Sequence, residues 1–407
     1  MLSTAIDVLR CPYCGGHVSL LADVCHEREA GEITSGILAC HCARFPIAGG
    51  IAVMTVEGVA DTAREQVEAG EAALAVRTMF AGGEDALADG YDRVAADDSL
   101  TYRDVVAALG PGFAEGRYFL YRFSDPTFLV ADAVVRTVAG VVLRDGGRAI
   151  DLCGGSGHLT RTLQAFTPDA FLMDWSFPKL WLARRYTAPG AQLICGDAHT
   201  ALPFATNAFR LAVCSDAFHY VWTKALLAHE MARLTGPDGA VAVTHTHNSR
   251  QENPSAGMPL PPGAYRELFE DVHGRVFSER TLLEDVVGGK IDLSRMHADA
   301  ALDSDPALTI VGSHAGGVFA RRGVAPPAHV RGELRINPLY VADQGASYAL
   351  RFPSEEYEQE YGQCRMYLPE RVTFDWDTRD ALARGDAGRL AELLARRVVL
   401  DLPPRFY

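Results

Sequence analysis

The sequence predicts an α/β protein built around a largely parallel β-sheet that is covered on both faces. Between residues 147 and 247, short strand-like stretches alternate with helical ones, which is the order that βαβ units produce. Stretches such as "RAIDL", "AFLMD" and "RLAVCS" are nearly unbroken apolar runs, and this pattern indicates strands buried on both faces. A cysteine-rich stretch precedes the sheet, and a stretch of mixed strand and helix character follows it.

The length and the changes in pattern predict several structural units. A chain of 407 residues exceeds what one ordinary core supports, so two or three domains are expected. The predicted units are a cysteine-rich module at 1–57, a helical segment at 58–146, the sheet domain at 147–323 with a cap inserted at about 249–306, and a mixed α+β extension at 324–407 that begins near "APP" at 325–327.

Two local patterns predict particular elements. Asp125 followed by Pro126 predicts the start of a helix, with an N-cap and a proline in the first turn. The stretch "ALTIVGSHAGGVFARR", at 307–322, predicts two strands joined by a glycine-containing hairpin at the edge of the sheet.

Composition and charge argue against several functions and locations. The net charge of −14, from 52 acidic and 38 basic residues, argues against a nucleic-acid partner, because such binding depends on cationic contacts to phosphate. No apolar run of about 18 residues is present, so no membrane span is predicted. The N-terminal sequence lacks a basic segment followed by an apolar one, and nine cysteines without an export signal indicate a reducing compartment. We therefore expect a cytoplasmic protein.

A glycine-rich turn and two later carboxylates indicate a nucleotide-like ligand. "IDLCGGSG" places Asp151 at the end of a strand, before a turn that opens a helix and presents free backbone N–H groups. A dinucleotide fingerprint would need glycine at the position of Thr160. Asp174 ends the next strand, where a carboxylate would accept hydrogen bonds from ribose hydroxyls, and Asp197 ends the third strand.

Five motifs in this order carry a resemblance to a known family. "IDLCGGSG", "MDWS", "GDAHTALPF", "FRLAVCSDAFHYV" and "EMARLTGPDGAVAV" resemble the class I S-adenosylmethionine-dependent methyltransferases, in the branch of ubiquinone and menaquinone biosynthesis. The resemblance implies a Rossmann-like sheet and S-adenosylmethionine as cofactor. The cofactor-binding residues that it implies are Asp151, Cys153, Gly155, Gly157, Asp174, Trp175, Asp197, Ala198 and Ser215. Cys153 stands where glycine is usual, which we expect to be tolerated if its φ is negative.

Histidines that follow predicted strands are the candidates for acid–base chemistry. Methyl transfer is an in-line displacement, and a base helps when the acceptor is a hydroxyl or an activated carbon. His219, His245 and His247 are the candidate catalytic residues, and His199 lies at another strand end. The two-residue spacing of His245 and His247 predicts that they share one face of a strand. In this family, helices before the sheet commonly cover the cofactor, so Tyr118 and Tyr121 are candidate pocket residues.

The N-terminal cysteines form a second motif. "CPYCGG" followed by "GILACHCARFPIAGGI" resembles the small zinc ribbons of the Trm112-like type, with one residue missing from the second knuckle. The resemblance implies a structural zinc held by Cys11, Cys14, Cys40 and Cys42. His41 and either Cys25 or His26 are reserve ligands, and a ribbon that has lost its metal is the alternative.

The sequence favours a methyltransferase that acts on a small molecule. Transfer to oxygen or carbon is favoured over transfer to nitrogen, in specialised or cofactor metabolism, and assembly into a homo-oligomer is left open. One alternative is a tRNA or rRNA methyltransferase that uses the ribbon to bind RNA, although residues 1–57 carry three basic and six acidic side chains. Another is a scaffold that binds S-adenosylmethionine without catalysis.

Overall fold

The computed structural model describes residues 1–24, 26–253, 257–324 and 330–407. The reserve ligand Cys25 and the predicted boundary at 325–327 lie outside the described residues. Across the described part of the chain, no helix combines the length and apolar character needed to cross a membrane.

The N-terminal module is a small antiparallel structure that continues into the main sheet. Its elements are α1 (Ser3–Ile6), β1 (Ser19–Leu20), β2 (Glu27–Glu29), β3 (Glu32–Ala39), β4 (Arg44–Ala48) and β5 (Ile51–Val53). Strand β3 pairs antiparallel with β1, β2 and β4, and β4 pairs with β5. Strand β5 then pairs in parallel with a strand of the central sheet, with Ile51 opposite Leu193 and Val53 opposite Cys195. The module therefore shares its backbone hydrogen bonds with the central sheet.

The next segment is helical. Its helices are α2 (Val59–Glu68), α3 (Ala72–Ala81), α4 (Asp85–Val94), α5 (Tyr102–Leu109), α6 (Gly116–Tyr121) and α7 (Pro126–Val142). The start of α7 is confirmed, because the Asp125 carboxylate accepts a hydrogen bond from the Phe128 amide at 2.6 Å and Pro126 lies in the first turn. Most of α7 is buried, and it packs against the central sheet.

The central segment supplies most of the main sheet. Its elements are β6 (Ala149–Leu152), α8 (His158–Leu163), β7 (Ala170–Asp174), α9 (Phe177–Leu182), β8 (Gln192–Cys195), β9 (Leu211–Ser215), α10 (Lys224–Thr235), β10 (Ala240–His247), α11 (Pro262–Leu268), β11 (Arg275–Ser278), α12 (Glu279–Val287), β12 (Lys290–Asp292), α13 (Asp299–Leu302), β13 (Ala307–Ser313) and β14 (Arg321–Gly323).

The order of strands across the main sheet is β1-β3-β4-β5-β8-β7-β6-β9-β10-β13-β11. The strands from β5 to β10 in this order are parallel, whereas β13 pairs antiparallel with both β10 and β11. Successive side chains of β7 enter opposite cores: Ala170 and Leu172 join one apolar cluster, Phe171 and Met173 the other. The predicted α/β fold with a largely parallel, doubly covered sheet is confirmed.

The predicted hairpin at 307–322 is wrong. Strand β13 lies inside the sheet between β10 and β11, and β14 pairs with β12 instead of with β13. The edge strand of the sheet, β11, comes from the segment at 249–306, which was predicted only to form a cap. That segment therefore contributes to the sheet as well as covering it.

The C-terminal extension packs beside the helical segment. Its elements are β15 (Glu333–Ile336), β16 (Tyr340–Ala342), β17 (Ser347–Leu350), α14 (Glu355–Tyr361), β18 (Arg371–Thr373), α15 (Trp376–Ala383), α16 (Ala391–Ala395) and β19 (Val399–Leu402). It has its own apolar cluster, and Tyr118 and Tyr121 of α6 pack against that cluster. The rings of Tyr121 and Tyr357 lie 5.5 Å apart, so α6 and α14 are in direct contact.

Candidate active site

A cavity of about 950 Å³ lies at the carboxyl ends of β6 to β9, where ligands bind in open α/β sheets. Its wall includes the ends of these strands, part of α6, and Glu360 and Tyr361 of α14. The predicted cofactor residues at the wall are Asp151, Cys153, Gly155, Asp174, Trp175, Asp197, Ala198 and Ser215. Gly157 is not at the wall. It caps the N-terminus of α8 with a φ of +78°.

The turn after β6 requires small residues for two different reasons. A Cβ on Gly154 would lie 2.5 Å from the carboxyl carbon of Asp151, so a larger residue does not fit there. Gly155 has a φ of +56°, and the nearest atom to its Cβ position is 3.8 Å away, so its face toward the cavity is open. Cys153 has a φ of +55°, so the condition of a negative φ is not met. A non-glycine residue with a φ in this left-handed range lowers the stability of the fold by about 1 to 2 kcal/mol, and glycine would avoid this cost.

Asp151 is fully buried beneath this turn. Its Oδ2 atom accepts a hydrogen bond from the Thr160 hydroxyl at 2.7 Å, whereas Oδ1 has no hydrogen-bond partner. Burial raises the pKa of Asp151 to about 7; the Thr160 hydrogen bond opposes this rise, and the nearby Asp174 carboxylate adds to it. A buried carboxylate oxygen without a partner is destabilising, so a cationic or hydrogen-bond-donating ligand group at this wall would be stabilised.

Asp174 links the glycine turn to the next strand end. One carboxylate oxygen accepts from the Gly155 amide and the other from the Ser176 amide, each at 2.9 Å. Burial raises the pKa of Asp174, and the Lys179 ammonium group opposes this rise. The neighbouring Trp175 is 75% exposed, which leaves its indole available to pack on a ligand at the rim.

The third and fourth strand ends complete this side of the cavity. One carboxylate oxygen of Asp197 accepts from the His199 amide at 2.8 Å and lies 2.7 Å from the His199 ring nitrogen Nδ1. Ala198 is buried beside it. The Ser215 hydroxyl accepts a hydrogen bond from the Thr244 hydroxyl at 2.8 Å.

The three candidate catalytic histidines lie together, but in different environments. The rings of His219 and His247 stack at 3.7 Å, and those of His245 and His247 lie 5.6 Å apart. Of the three, His247 is at the cavity wall. The regular alternation predicted for His245 and His247 is interrupted, because β10 has an irregular register between Val243 and Thr246 and His245 has a φ of +51°.

These environments give the three rings different charges. His245 Nδ1 lies 2.6 Å from Glu279 Oε2, and its Nε2 lies 3.9 Å from Asp216 Oδ1. Burial opposes protonation of His245, but these two carboxylates outweigh it and raise its pKa to about 9. Burial, together with nearby imidazoles, lowers the pKa of His219 to about 3 and that of His247 to about 4. Near neutral pH, His245 is therefore charged and the stacked pair is neutral.

Two residues at this wall were not among the predicted site residues. Asp216 follows β9 with a φ of +53°, and its Oδ2 atom accepts a hydrogen bond from Arg122 of the 122–124 turn at 2.8 Å. Both side chains line the cavity. The sequence signal for Asp216 was its place directly after a strand, beside Ser215. Arg122 carried no such signal, because it comes from a segment before the sheet.

Comparison with known proteins identifies the central part of the chain. Residues 149–239 match the family model described as "Methyltransferase domain". The chain carries a methyltransferase domain. The matched segment holds every predicted cofactor residue from Asp151 to Ser215, together with His219. Within this methyltransferase domain, the glycine turn and the carboxylates of Asp151, Asp174 and Asp197 line one cavity, and their roles toward a cofactor stay predictions.

Two further kinds of comparison describe relatives of the methyltransferase domain. A demethylmenaquinone methyltransferase from Renibacterium salmoninarum is 34% identical over 115 residues, which span 28% of this chain and 45% of that protein. The chain thus covers less than half of that relative's length. A solved chain from the complex between the Haloferax volcanii Trm112 methyltransferase activator and a methyltransferase has 20% identity, covers 44% of this chain and 89% of its own, and has a TM-score of 0.31. The sugar N-methyltransferase KedS8 from a Streptoalloteichus species has 11% identity and a TM-score of 0.34, and the match covers 47% of this chain and 88% of that chain.

The four predicted metal ligands come together outside the methyltransferase domain. The sulfur atoms of Cys11, Cys14, Cys40 and Cys42 all lie within 4.8 Å of one another. The Cys11–Cys42 and Cys40–Cys42 sulfur distances are 3.5 Å, and the Cys14–Cys40 distance is 3.8 Å. The shortened second knuckle therefore still brings both of its sulfurs to the cluster. The reserve ligands His26 and His41 are not part of this cluster.

Proposed function

We propose that the protein transfers a methyl group from S-adenosylmethionine to a small-molecule acceptor. Transfer to oxygen or carbon is favoured over transfer to nitrogen, in specialised or cofactor metabolism. The observation that carries the proposal is the single cavity whose wall holds the glycine turn and the three strand-end carboxylates of the matched domain. Its volume, about 950 Å³, lies in the range of small-molecule sites.

The residues at the wall fit the chemistry of the cofactor. S-adenosylmethionine carries a positive sulfonium and a positive ammonium group, and Asp151, Asp174 and Asp197 supply carboxylates on this side of the cavity. The unpartnered oxygen of Asp151 is suited to a cationic group. We propose that Asp174 holds the ribose, that Trp175 packs on the adenine, and that Asp197 borders its amino edge. When bound, the cofactor supplies an electrophilic methyl group.

The remaining walls enclose and position the acceptor. Helices α6 and α14 contribute Tyr118 and Tyr361, so the helical segment and the extension both narrow access to the strand ends. This enclosure would exclude water from an in-line displacement and restrict the orientation of the acceptor. Asp216 and His247 are the polar side chains beside Ser215 at this wall, and we propose that they face the acceptor.

Cofactor binding can be tested without knowing the acceptor. S-adenosylmethionine should raise the melting temperature of the purified protein, because a ligand that binds only the folded state stabilises it. Asp174→Ala should weaken binding measured by calorimetry at least tenfold. Asp145→Ala is the matched control, because Asp145 is exposed in the loop after α7 and should leave affinity unchanged. The absence of any thermal shift, or equal affinities for both variants, would overturn the proposal.

The acceptor class needs a transfer experiment. The protein would be incubated with deuterated-methyl S-adenosylmethionine and, separately, with a small-molecule extract and with an RNA fraction of the same cells. We expect labelled small molecules by mass spectrometry. Labelled RNA bases would instead support the tRNA or rRNA alternative, and binding without any transfer would support a scaffold.

We also propose that the four clustered cysteines hold a structural zinc ion. A tetrahedral ion with Zn–S bonds of about 2.3 Å separates its ligand sulfurs by about 3.8 Å. The Cys11–Cys42, Cys40–Cys42 and Cys14–Cys40 separations of 3.5 to 3.8 Å are close to this value. Metal analysis should give about one zinc per chain, and Cys42→Ser should lower this content. Equal zinc content in the variant would remove Cys42 from the ligand set.

A further inference from the structure

A second group of metal-ligand side chains lies at the cavity, far along the chain from the four clustered cysteines. Ligand atoms of Asp216, His219 and His247 all lie within 4.8 Å of one another. Asp216 follows β9, His219 lies one short turn later, and His247 ends the neighbouring strand β10. The carboxyl ends of two adjacent parallel strands thus bring together two imidazoles and one carboxylate.

The environment of His219 points independently to a ligand. Its side chain is completely buried, and neither of its ring nitrogens has a hydrogen-bond partner. Leaving one buried polar group unsatisfied costs about 1 to 3 kcal/mol, so buried histidines normally have partners. An ion that accepts one of these nitrogen lone pairs would remove part of that cost.

We propose that Asp216, His219 and His247 bind one divalent first-row transition-metal ion. Two imidazoles and one carboxylate are the donor set that manganese, iron, cobalt and zinc ions accept. Arg122 occupies Oδ2 of Asp216 at 2.8 Å, which leaves Oδ1 for the ion. The stacked rings of His219 and His247 are within 17° of parallel, so binding by both requires one ring to turn about its Cβ–Cγ bond.

The surrounding charges permit a dication at this place. Arg122 lies 3.5 Å from Asp125 and 2.8 Å from Asp216, and Glu279 lies 2.6 Å from the neighbouring His245 ring. Three carboxylates thus surround the group beside one guanidinium, and other walls of the cavity carry further carboxylates.

This site would define a class of acceptor, and that step rests on the proposed function. Asp216 and His247 line the cavity beside Ser215, so the ion's remaining coordination positions would face the acceptor. An acceptor hydroxyl bound there would have a lowered pKa and would release its proton to solvent. Its oxygen would then form a bond to the methyl carbon while the S–CH₃ bond breaks and its electron pair returns to sulfur. The inferred acceptors are hydroxylated molecules that can chelate a metal through neighbouring oxygens.

Manganese is the probe that separates this site from the cysteine cluster, because a hard cation does not favour four thiolates. The full-length protein would be titrated with Mn²⁺ and followed by electron paramagnetic resonance. We expect about one tightly bound Mn²⁺ per chain, with ¹⁴N couplings from imidazole. His247→Gln should weaken this binding at least tenfold, and His199→Gln, in the same cavity, should leave it unchanged.

Two measurements keep the outcome clear if a variant is unstable. Circular dichroism and thermal melting would show whether His247→Gln is folded, and the ¹⁴N couplings in the wild-type protein test the ligands without any substitution. Weak binding without nitrogen coupling, or equal binding by both variants, would overturn the metal site. S-adenosylmethionine binding in the presence of a chelator tests the proposed function separately, because the cofactor residues do not include these ligands.

Discussion

Replacing Glu279 by glutamine should destabilise the protein by about 2 to 3 kcal/mol near pH 6.5 and by much less at pH 9.5. The pKa of His245 is raised from 6.5 to about 9, chiefly by Glu279 and Asp216 acting against burial. Each pKa unit corresponds to about 1.4 kcal/mol, so the protonated ring contributes about 3 kcal/mol of stability. Because the folded pKa is the higher one, this contribution is complete below pH 6.5 and is lost as the pH rises through 9.

The assay is urea unfolding of Glu279→Gln and wild type at both pH values. At pH 6.5 the variant removes the carboxylate of Glu279 from the buried His245 imidazolium. Of the two carboxylates near this ring, that of Asp216, 3.9 Å away, then remains. At pH 9.5 the ring is mostly neutral, so the wild-type carboxylate has lost its counter-charge. Glu284→Gln is the control, because Glu284 is exposed on the same helix and should change stability by less than about 0.5 kcal/mol. An equal loss at both pH values would refute the assigned charge of His245.

Three further predictions concern the glycine turn and Asp151. Gly154→Ala should lower the free energy of unfolding by more than about 2 kcal/mol, because its Cβ would meet Asp151 at 2.5 Å. Gly155→Ala, with a φ of +56° but no close neighbour, should lower it less, by about 1 to 2 kcal/mol, and should weaken cofactor binding in calorimetry. Equal stability losses would contradict this distinction. Thr160→Val should lower the free energy of unfolding by about 1 to 3 kcal/mol at pH 8, where Asp151 is ionised. The loss should be smaller at pH 5, where Asp151 is protonated in the folded state, and urea unfolding at both pH values checks this. S-adenosylmethionine should release a proton on binding at pH 6.5, because a cationic ligand lowers the raised pKa of Asp151; calorimetry in buffers of different ionisation enthalpy would detect it, and identical heats would count against it.

Local patterns were sufficient to predict the strands of the methyltransferase domain and the glycine turn and carboxylates at their ends, which are part of the cavity wall. Asp151 and Asp174 end buried apolar runs, and parallel strands bring such ends to one edge of the sheet. The N-cap at Asp125 was likewise predicted from two adjacent residues, Asp125 and Pro126. Gly154 was not singled out, because its need for space depends on the side chain of Asp151 and on Leu172 of the neighbouring strand.

Features that depend on distant pairing were not predictable in the same way. The predicted hairpin at 307–322 failed because β13 pairs with residues near 240 and β14 with residues near 290. The grouping of Asp216 with His247 depends on the positive φ of Asp216 and the irregular register of β10, neither of which the residue types indicate. The positive φ of Cys153 is another tertiary constraint, since its residue type favours the opposite sign.

The pairing of β5 with β8 connects the N-terminal module to the cavity wall through backbone hydrogen bonds. Val53 lies opposite Cys195, and the Met54 amide donates a hydrogen bond to the Cys195 carbonyl at 2.7 Å, immediately before Gly196 and Asp197 enter the cavity wall. If the proposed zinc ion stabilises the module, these hydrogen bonds would extend the effect to the edge of the cavity, and occupancy of the two proposed sites should then be thermodynamically coupled. Such coupling is reciprocal. Zinc should tighten the binding of S-adenosylmethionine, and S-adenosylmethionine should by the same factor make the zinc harder to remove with a chelator.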